Sequence, residues 1–407
     1  MSYRAARLRR VDHRAGGRPG PGPRPGRPGF ALALALGLLA ALALTLAAGP
    51  AAARATPAAP AAPSEAGDSS DPGAAAAATP PGEAGLSPAA TGSRDSADPG
   101  GVWDTAPLAL ANQSPLALAL APFSPRPARV GPVGSQGLAV STAYSSLFTR
   151  QATAGGWFNL DMELFSLELA WRAVALPGLE LEVGLPFRSY SGGFLDHAIQ
   201  GYHQFFGFPN GGRDAYPQDQ VRFQAGQNGR GGLDLTDGHA GLGDLSLGAR
   251  WALTGGHAVV DAALLGRWCF PTGDEDLGLG AGGPVAGLGL ALERSWGAWF
   301  GNLNLMGFYA QEARLLESLD PQNNLAASLT LGWEPWERWW LLGQVAGGTP
   351  LYADTGLSGL DDPLCQLQLG LRHRLAGGSR LTFTFNEDLI HHTSPDFSLG
   401  LAWELAW

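Results

Sequence analysis

From Leu138 to the end of the chain, apolar residues recur at every second position. That is the period of strands with one face in an apolar medium. The final segment is clearest. Phe397, Leu399, Leu401, Trp403, Leu405 and Trp407 alternate with Ser398, Gly400, Ala402, Glu404 and Ala406. A tilted transmembrane strand needs ~9–11 residues of this kind. The pattern predicts strands over 138–148, 158–171, 179–188, 241–253, 258–270, 284–294, 298–310, 325–333, 339–348, 363–375, 380–388 and 396–407. The predicted fold is therefore all-β: a transmembrane antiparallel up-and-down barrel of about twelve strands, bracketed by ten to fourteen. A phase change near Phe165-Ser166 predicts a β-bulge in the second strand. A soluble β-sandwich or propeller is the alternative fold for the same strands.

Two further patterns favour the barrel. Barrels alternate short turns at one end with long loops at the other. Short connections are expected at 173–178, 254–257, 295–297, 334–338 and 376–379. Longer ones are expected at 189–240, 271–283, 311–324, 349–362 and 389–395, with a shorter one at 149–157. Trp171, Trp251, Trp296, Trp299, Trp333, Trp336, Trp339, Trp340, Trp403 and Trp407 fall near the short-turn rim. Trp157 and Trp268, with Phe158, Tyr190, Phe270, Phe308 and Tyr309, would mark the other rim. Trp favours a water–lipid interface, which gives this one-sided clustering a cause.

Ahead of the strands, residues 1–29 are Arg-rich, 30–48 form an apolar run, and small residues follow up to Ala55. This order predicts a secretory signal peptide over 1–55. The apolar run is also close to membrane-spanning length, so an uncleaved anchor is the alternative. Arg9-Arg10 admits a twin-arginine reading. Residues 56–104 are Ala, Pro and Gly-rich and predict a disordered linker. Residues 105–136 would be a short arm or an N-terminal plug, and 137–407 the barrel.

Composition changes the picture in two ways. The 407 residues carry only 15% charge and 59 glycines, unlike an ordinary soluble enzyme. The net charge of -10 argues against a nucleic-acid partner. Residues 105–407 hold 16 arginines against 28 acids, so an open pore would disfavour anions. A charge at the lipid midplane costs ~2–4 kcal/mol for Arg, so polar residues within the strands should face the lumen. The lumen-lining set is Asp161, Glu163, Glu180, Glu182, Arg250, Asp261, Arg267, Glu293, Asn302, Asn304, Gln344, Gln366, Gln368, Arg372, Arg374, Thr382, Thr384 and Glu404. Such a set either lines a water-filled path or fills a narrow barrel with salt-bridged side chains.

Candidate chemistry is sparse. Phe194, Leu195, Ile199, Tyr202, Phe205 and Phe206 recur at helical spacing, which predicts an amphipathic helix in the barrel mouth or on the membrane surface. His197 and His203 with Asp196 match no metal motif, and His391-His392 has no placed base or acid. PTGDED at 271–276 lacks calcium-loop spacing. No catalytic, metal or cofactor residue is predicted. Cys269 and Cys365 lie on different predicted strands, and whether they pair is open.

The motifs GLGDLSLGARWAL (241–253), PTGDED (271–276), NQSPL (112–116), GGFLDHAIQGYH (192–203), Gly212-Arg213 and FNEDLIHHTSPDFSLGL (385–401) recur here in order. Together they resemble a proteobacterial outer-membrane β-barrel family known only as domain of unknown function 3187. The resemblance covers about 105–407. It implies an outer-membrane location and supplies no catalytic residues. The alternating last strand ending on an aromatic is similar to the C-terminal assembly signal of outer-membrane barrels. The expected partners are therefore outer-membrane lipid, the barrel assembly machinery and a small solute. The expected function is passive passage or binding of that solute. The alternatives are a barrel-embedded enzyme acting on lipid and a structural or adhesive role of the outer loops.

Overall fold

The computed structural model describes residues 101–407 apart from 198–199, 202–204, 206–211, 229, 256–257 and 391–392. The predicted leader and most of the linker lie outside the described residues. So do Ile199, Tyr202, His203, Phe206, His391 and His392.

Two short helices come first, α1 (Gly101–Asp104) and α2 (Pro115–Leu120). Then come β1 (Gln136–Ala152), β2 (Gly156–Leu176), β3 (Leu179–Ser191), β4 (Arg222–Gln227), β5 (Arg230–Leu235), β6 (His239–Leu242), β7 (Ser246–Ala252) and β8 (Asp261–Cys269). The chain continues with β9 (Val285–Trp296), β10 (Trp299–Tyr309), β11 (Asn324–Trp336) and β12 (Trp339–Gly348). After α3 (Ser358–Asp361) it ends with β13 (Leu364–Arg374), β14 (Arg380–Asp388) and β15 (Phe397–Ala406).

Twelve strands close into one antiparallel barrel, β1–β2–β3–β7 and onward in sequence to β15. Closure is made by β15 against β1, from Gly137↔Ala406 to Ser146↔Phe397. A closed ring leaves no unpaired edge, the condition for a sheet to sit in hydrocarbon. The outer surface supplies the matching chemistry. Leu169, Leu181, Val183, Leu247, Leu305, Leu341, Phe383 and Leu401 all stand exposed on the strands. Trp171, Trp251, Trp299, Trp333, Trp336 and Trp339 are exposed near the short-turn end, where Trp299 stacks on Trp333 at 5.5 Å. Trp157, Trp268, Phe270 and Tyr309 are exposed near the other end. Trp340 departs from the predicted girdle: it is buried in the lumen with Leu108 and Phe300. The short turns are tight because Gly178 and Gly297 take left-handed conformations, φ 76° and 59°, that most residues avoid.

Four features correct the sequence-based expectation. The first long-end connection is a three-residue turn, 153–155, because β1 and β2 extend past the apolar belt and pair as far as Ala152↔Trp157. The fourth stave is broken at 243–245 into β6 and β7, both on β3. There Asp244 accepts bonds from the Gly273 and Ala281 amides (both 2.8 Å), trading ladder pairing for a loop clamp. The 189–240 region also adds a hairpin, β4–β5, that extends the wall from β2.

The fourth correction concerns Asp161 and Glu163. β2 pairs with β1 without a register shift, so no bulge occurs at Phe165-Ser166. Strict alternation then places Asp161 and Glu163 on the lipid-side face with Phe165, Leu169 and Trp171, not in the lumen. Leu160, Met162 and Leu164 face inward instead, within the apolar cluster that fills the mouth. The two carboxylates are tolerated outside because described residues of the 192–220 region lie over them. Glu163 accepts the Phe194 amide (2.8 Å), the Leu195 amide and the Tyr144 hydroxyl. Asp161 pairs with Arg150 at 2.7 Å.

Candidate functional site

The remaining predicted lining residues sit on the inward face of their strands, and most of them hold one object. Residues 101–135 run through the lumen, up from the short-turn end and back. Arg372, 2% exposed, donates to the carbonyls of Trp103 (3.1 Å), Asp104 (3.0 Å), Ala106 (2.8 Å) and Pro107 (3.3 Å). Arg374 and Arg380 grip the Asp104 carboxylate at 3.0 and 2.6 Å. Thr105 donates to Glu293 (2.6 Å), and Asn302 donates to the Thr105 carbonyl (2.8 Å). Gln344 reads both sides of one residue: it accepts the Leu108 amide and donates to the Leu108 carbonyl, each at 3.0 Å. Gln368 donates to the Leu110 carbonyl at 2.9 Å.

The segment turns at α2. Its sequence, PLALAL, places proline in the first turn, where no amide partner is needed, followed by strong helix formers. Leu116, Ala119 and Leu120 pack into the mouth cluster with Leu147, Leu160, Phe223, Phe308 and Tyr352. On the way down, the Arg126 amide donates to Asn304 (2.9 Å), and the Arg126 side chain meets Glu182 (2.7 Å). Arg250 donates to the Pro127 carbonyl (2.9 Å) and pairs with Glu180 (2.8 Å). Glu293 accepts the Ala128 amide (3.0 Å) and pairs with Arg129 (2.8 Å), which also approaches Asp261 (3.9 Å). The segment leaves through the Gly134 and Ser135 backbone bonds to Val174 and enters β1.

The lumen is thus polar in its short-turn half and apolar toward the mouth. Its charges are closely matched once the segment's own Asp104, Arg126 and Arg129 are included. Arg172 ties the wall together between Glu182 (3.3 Å) and Glu404 (3.1 Å), with Trp103 on its guanidinium at 3.8 Å. Thr382 accepts from Arg372, and Arg267 lies near Glu168 at 3.7 Å. Gln366 is buried beside Ala346 and Asp388. Cys269 faces the lumen and Cys365 the opposite side of the wall, both as free thiols.

The inserted segment fills the barrel unevenly. Between the charged Glu404, Glu168 and Arg172, most inward residues of β15, β1 and the neighbouring part of β2 are small: Gly400, Ala402, Ala139, Ser141, Ala143 and Ala170. A cavity of about 110 Å³ lies between them and the segment. It extends from Trp103, Arg172 and Glu404 to Leu118, Arg188 and Cys269.

A family described as protein of unknown function (DUF3187) matches residues 93–407. The chain belongs to this family. No functionally curated protein matches it in sequence. Among solved structures, this DUF3187 member is similar to an outer-membrane channel from Pseudomonas putida F1, at 16% identity and TM-score 0.46, over 70% of this chain and 100% of that one. It is also similar to the NanC porin, at 6% identity and TM-score 0.37, over 66% and 98% of the two chains. The P. putida toluene transporter TodX aligns at 14% identity and TM-score 0.33, over 72% and 91%.

On the outside of this DUF3187 barrel, the 192–220 region is latched by Arg213, which pairs with Asp396 (2.5 Å) and Asp196 and donates to Ser146 (3.2 Å). Burial opposes the Arg213 charge. Asp396 and Asp196 outweigh it and hold the guanidinium above its ordinary pKa. The predicted amphipathic helix falls here. Its described residues Asp196, His197, Gln200, Gly201 and Phe205 are helical, and Phe194 stacks on Tyr144 at 5.6 Å. The latch residues, the inserted arginines and Arg188, Glu168 and Gln113 were absent from the sequence-predicted set. The signal available for Arg126 and Arg129 was two basic residues beside a barrel rich in inward acids.

Proposed function

We propose that this protein is an outer-membrane channel for a small solute, with residues 101–135 as an internal gate. The route lies between that segment and the wall of β15, β1 and β2. The lopsided filling of the lumen carries this reading. A segment serving only as a core would pack against all sides at interior density. Here the bonds to it come from β3, β7, β9, β10 and β12 to β14, while small residues and a continuous cavity lie opposite. The exposed faces of Phe397, Leu399, Leu401, Trp403 and Leu405 would meet outer-membrane lipid and, during insertion, the assembly machinery.

The test is reconstitution of the full chain into liposomes, with folding checked by heat-modifiable migration in detergent gels. Osmotic swelling with small neutral solutes, together with low conductance in planar bilayers, is expected. A correctly folded barrel that passes no solute and no current would overturn the reading.

A further inference from the structure

The middle of the cavity carries hydrogen-bonding capacity that the protein leaves unused. Gln113 is 4% exposed and lines the cavity. Its Nε2 donates to the Ala111 carbonyl at 3.0 Å, and its Oε1 is buried without a partner. Arg267 Nε and Ser166 Oγ, also in the lining, are buried and unpartnered as well. Buried polar atoms in folded proteins are nearly always bonded, so three orphans around one cavity point to something that bonds them.

We infer that this cavity is a binding site for a small neutral molecule with an apolar body and one hydroxyl group, of the class of phenols and short alcohols. Three arginines along the cavity are paired with acids, Arg267 with Glu168, Arg172 with Glu404 and Arg126 with Glu182. Arg188 and Arg372, also in the lining, spend their donors on backbone carbonyls, those of Leu279 and Leu118 for the one and of residues 103–107 for the other, instead of on an ion. Ala109, Ala139, Ala143 and Ala170 give apolar walls. Gln113 Oε1 needs a donor, Arg267 Nε needs an acceptor, and a hydroxyl is both. A hydrocarbon would leave both unsatisfied, and a carboxylate could not donate to Gln113. An apolar cavity of ~150 Å³ holds benzene, so about 110 Å³ suits a solute of one small ring or less. The site deepens the channel reading and rests on it only for the solute's destination.

Phenol, toluene and benzoate, similar in size, separate the possibilities when titrated calorimetrically into the purified full chain in detergent. Phenol is expected to bind about tenfold more tightly than toluene or benzoate. Gln113→Leu should weaken phenol about tenfold and spare toluene. Gln113→Glu, which keeps an acceptor, should retain phenol binding. Ala143→Leu should abolish it by filling the cavity. Gel migration confirms that each variant is folded, and Ser166→Ala offers a milder change to the same cluster. Equal binding of phenol and toluene, or phenol affinity unaffected by both Gln113→Leu and Ala143→Leu, would overturn the inference. Phenol binding without flux in liposomes would overturn the channel reading and leave the site standing. Flux of neutral solutes without phenol preference would do the reverse.

Discussion

The two sides of the lumen face the same inserted segment with opposite equipment. From β9 to β13 the inward positions include Glu293, Asn302, Asn304, Gln344, Gln368, Arg372 and Arg374, and each of these seven bonds to residues 101–130. On β15 and β1 the inward positions through the middle of the wall are Ser398, Gly400, Ala402, Ala139, Ser141, Ala143 and Ser145, with Glu404 below them bound to Arg172. Among the described residues, none of these bonds to the segment. Both sides obey the same strand alternation and close the same ring, so the backbone does not decide which side holds and which side yields. Side-chain reach and donor supply decide it. A long amide or guanidinium reaches a peptide group of the insert, whereas an alanine leaves a gap.

Arg372→Met should break this contrast most severely. One buried guanidinium serves four insert carbonyls, and their loss leaves orphaned acceptors. A loosening of the segment by roughly 3–5 kcal/mol is expected. Protease access within 101–135 and single-channel conductance should both rise while the barrel still migrates as folded. Unchanged protection would mean that the holding side does not hold. Gln344→Leu is the next step down. It removes two bonds to Leu108, for a cost of about 2–3 kcal/mol. Faster hydrogen exchange localised at the Leu108 amide is the expected signature. Uniform protection across the segment would count against the pairing.

On the yielding side, Ala143→Phe should act on transport instead of anchoring. A bulky ring projecting into the cavity should cut solute flux in liposomes about tenfold, with protease protection of residues 101–135 unchanged. Flux at the wild-type level would place the route elsewhere.

The barrel was legible because its signal is repeated: each stave states the same alternation, and the turn lengths and tryptophans restate it. What lay beyond was not periodic. Asp161 and Glu163 carry the chemistry of lumen residues, yet they occupy lipid-side positions. Only the covering 192–220 region, whose Arg213 is held by Asp396 far along the sequence, makes that placement affordable. The polar residues of β9 to β13 were legible as inward-facing, but not their purpose. A strand pattern says which way Gln344 points and nothing about the Leu108 backbone it finds there. Gln113 was invisible for a related reason. Its importance lies in a bond it does not make, which only the packed arrangement exposes.

The smallest effect should come from the serines of the yielding wall. Ser398 on β15 faces Ser145 on β1, both fully buried, and neither hydroxyl has a partner. A buried hydroxyl without a bond costs its desolvation and returns nothing. Ser398→Ala should therefore leave thermal stability unchanged or raise it, by at most about 1 kcal/mol. Thr330→Val, at an equally buried position whose hydroxyl bonds Gln344 at 2.5 Å, should instead cost about 1 kcal/mol or more. The pair measures whether polarity is used on one side of the barrel and idle on the other. Equal destabilisation in detergent melts would show that the hydroxyls of β15 and β1 are held by contacts as productive as those opposite, and the difference between the walls would then reduce to size alone.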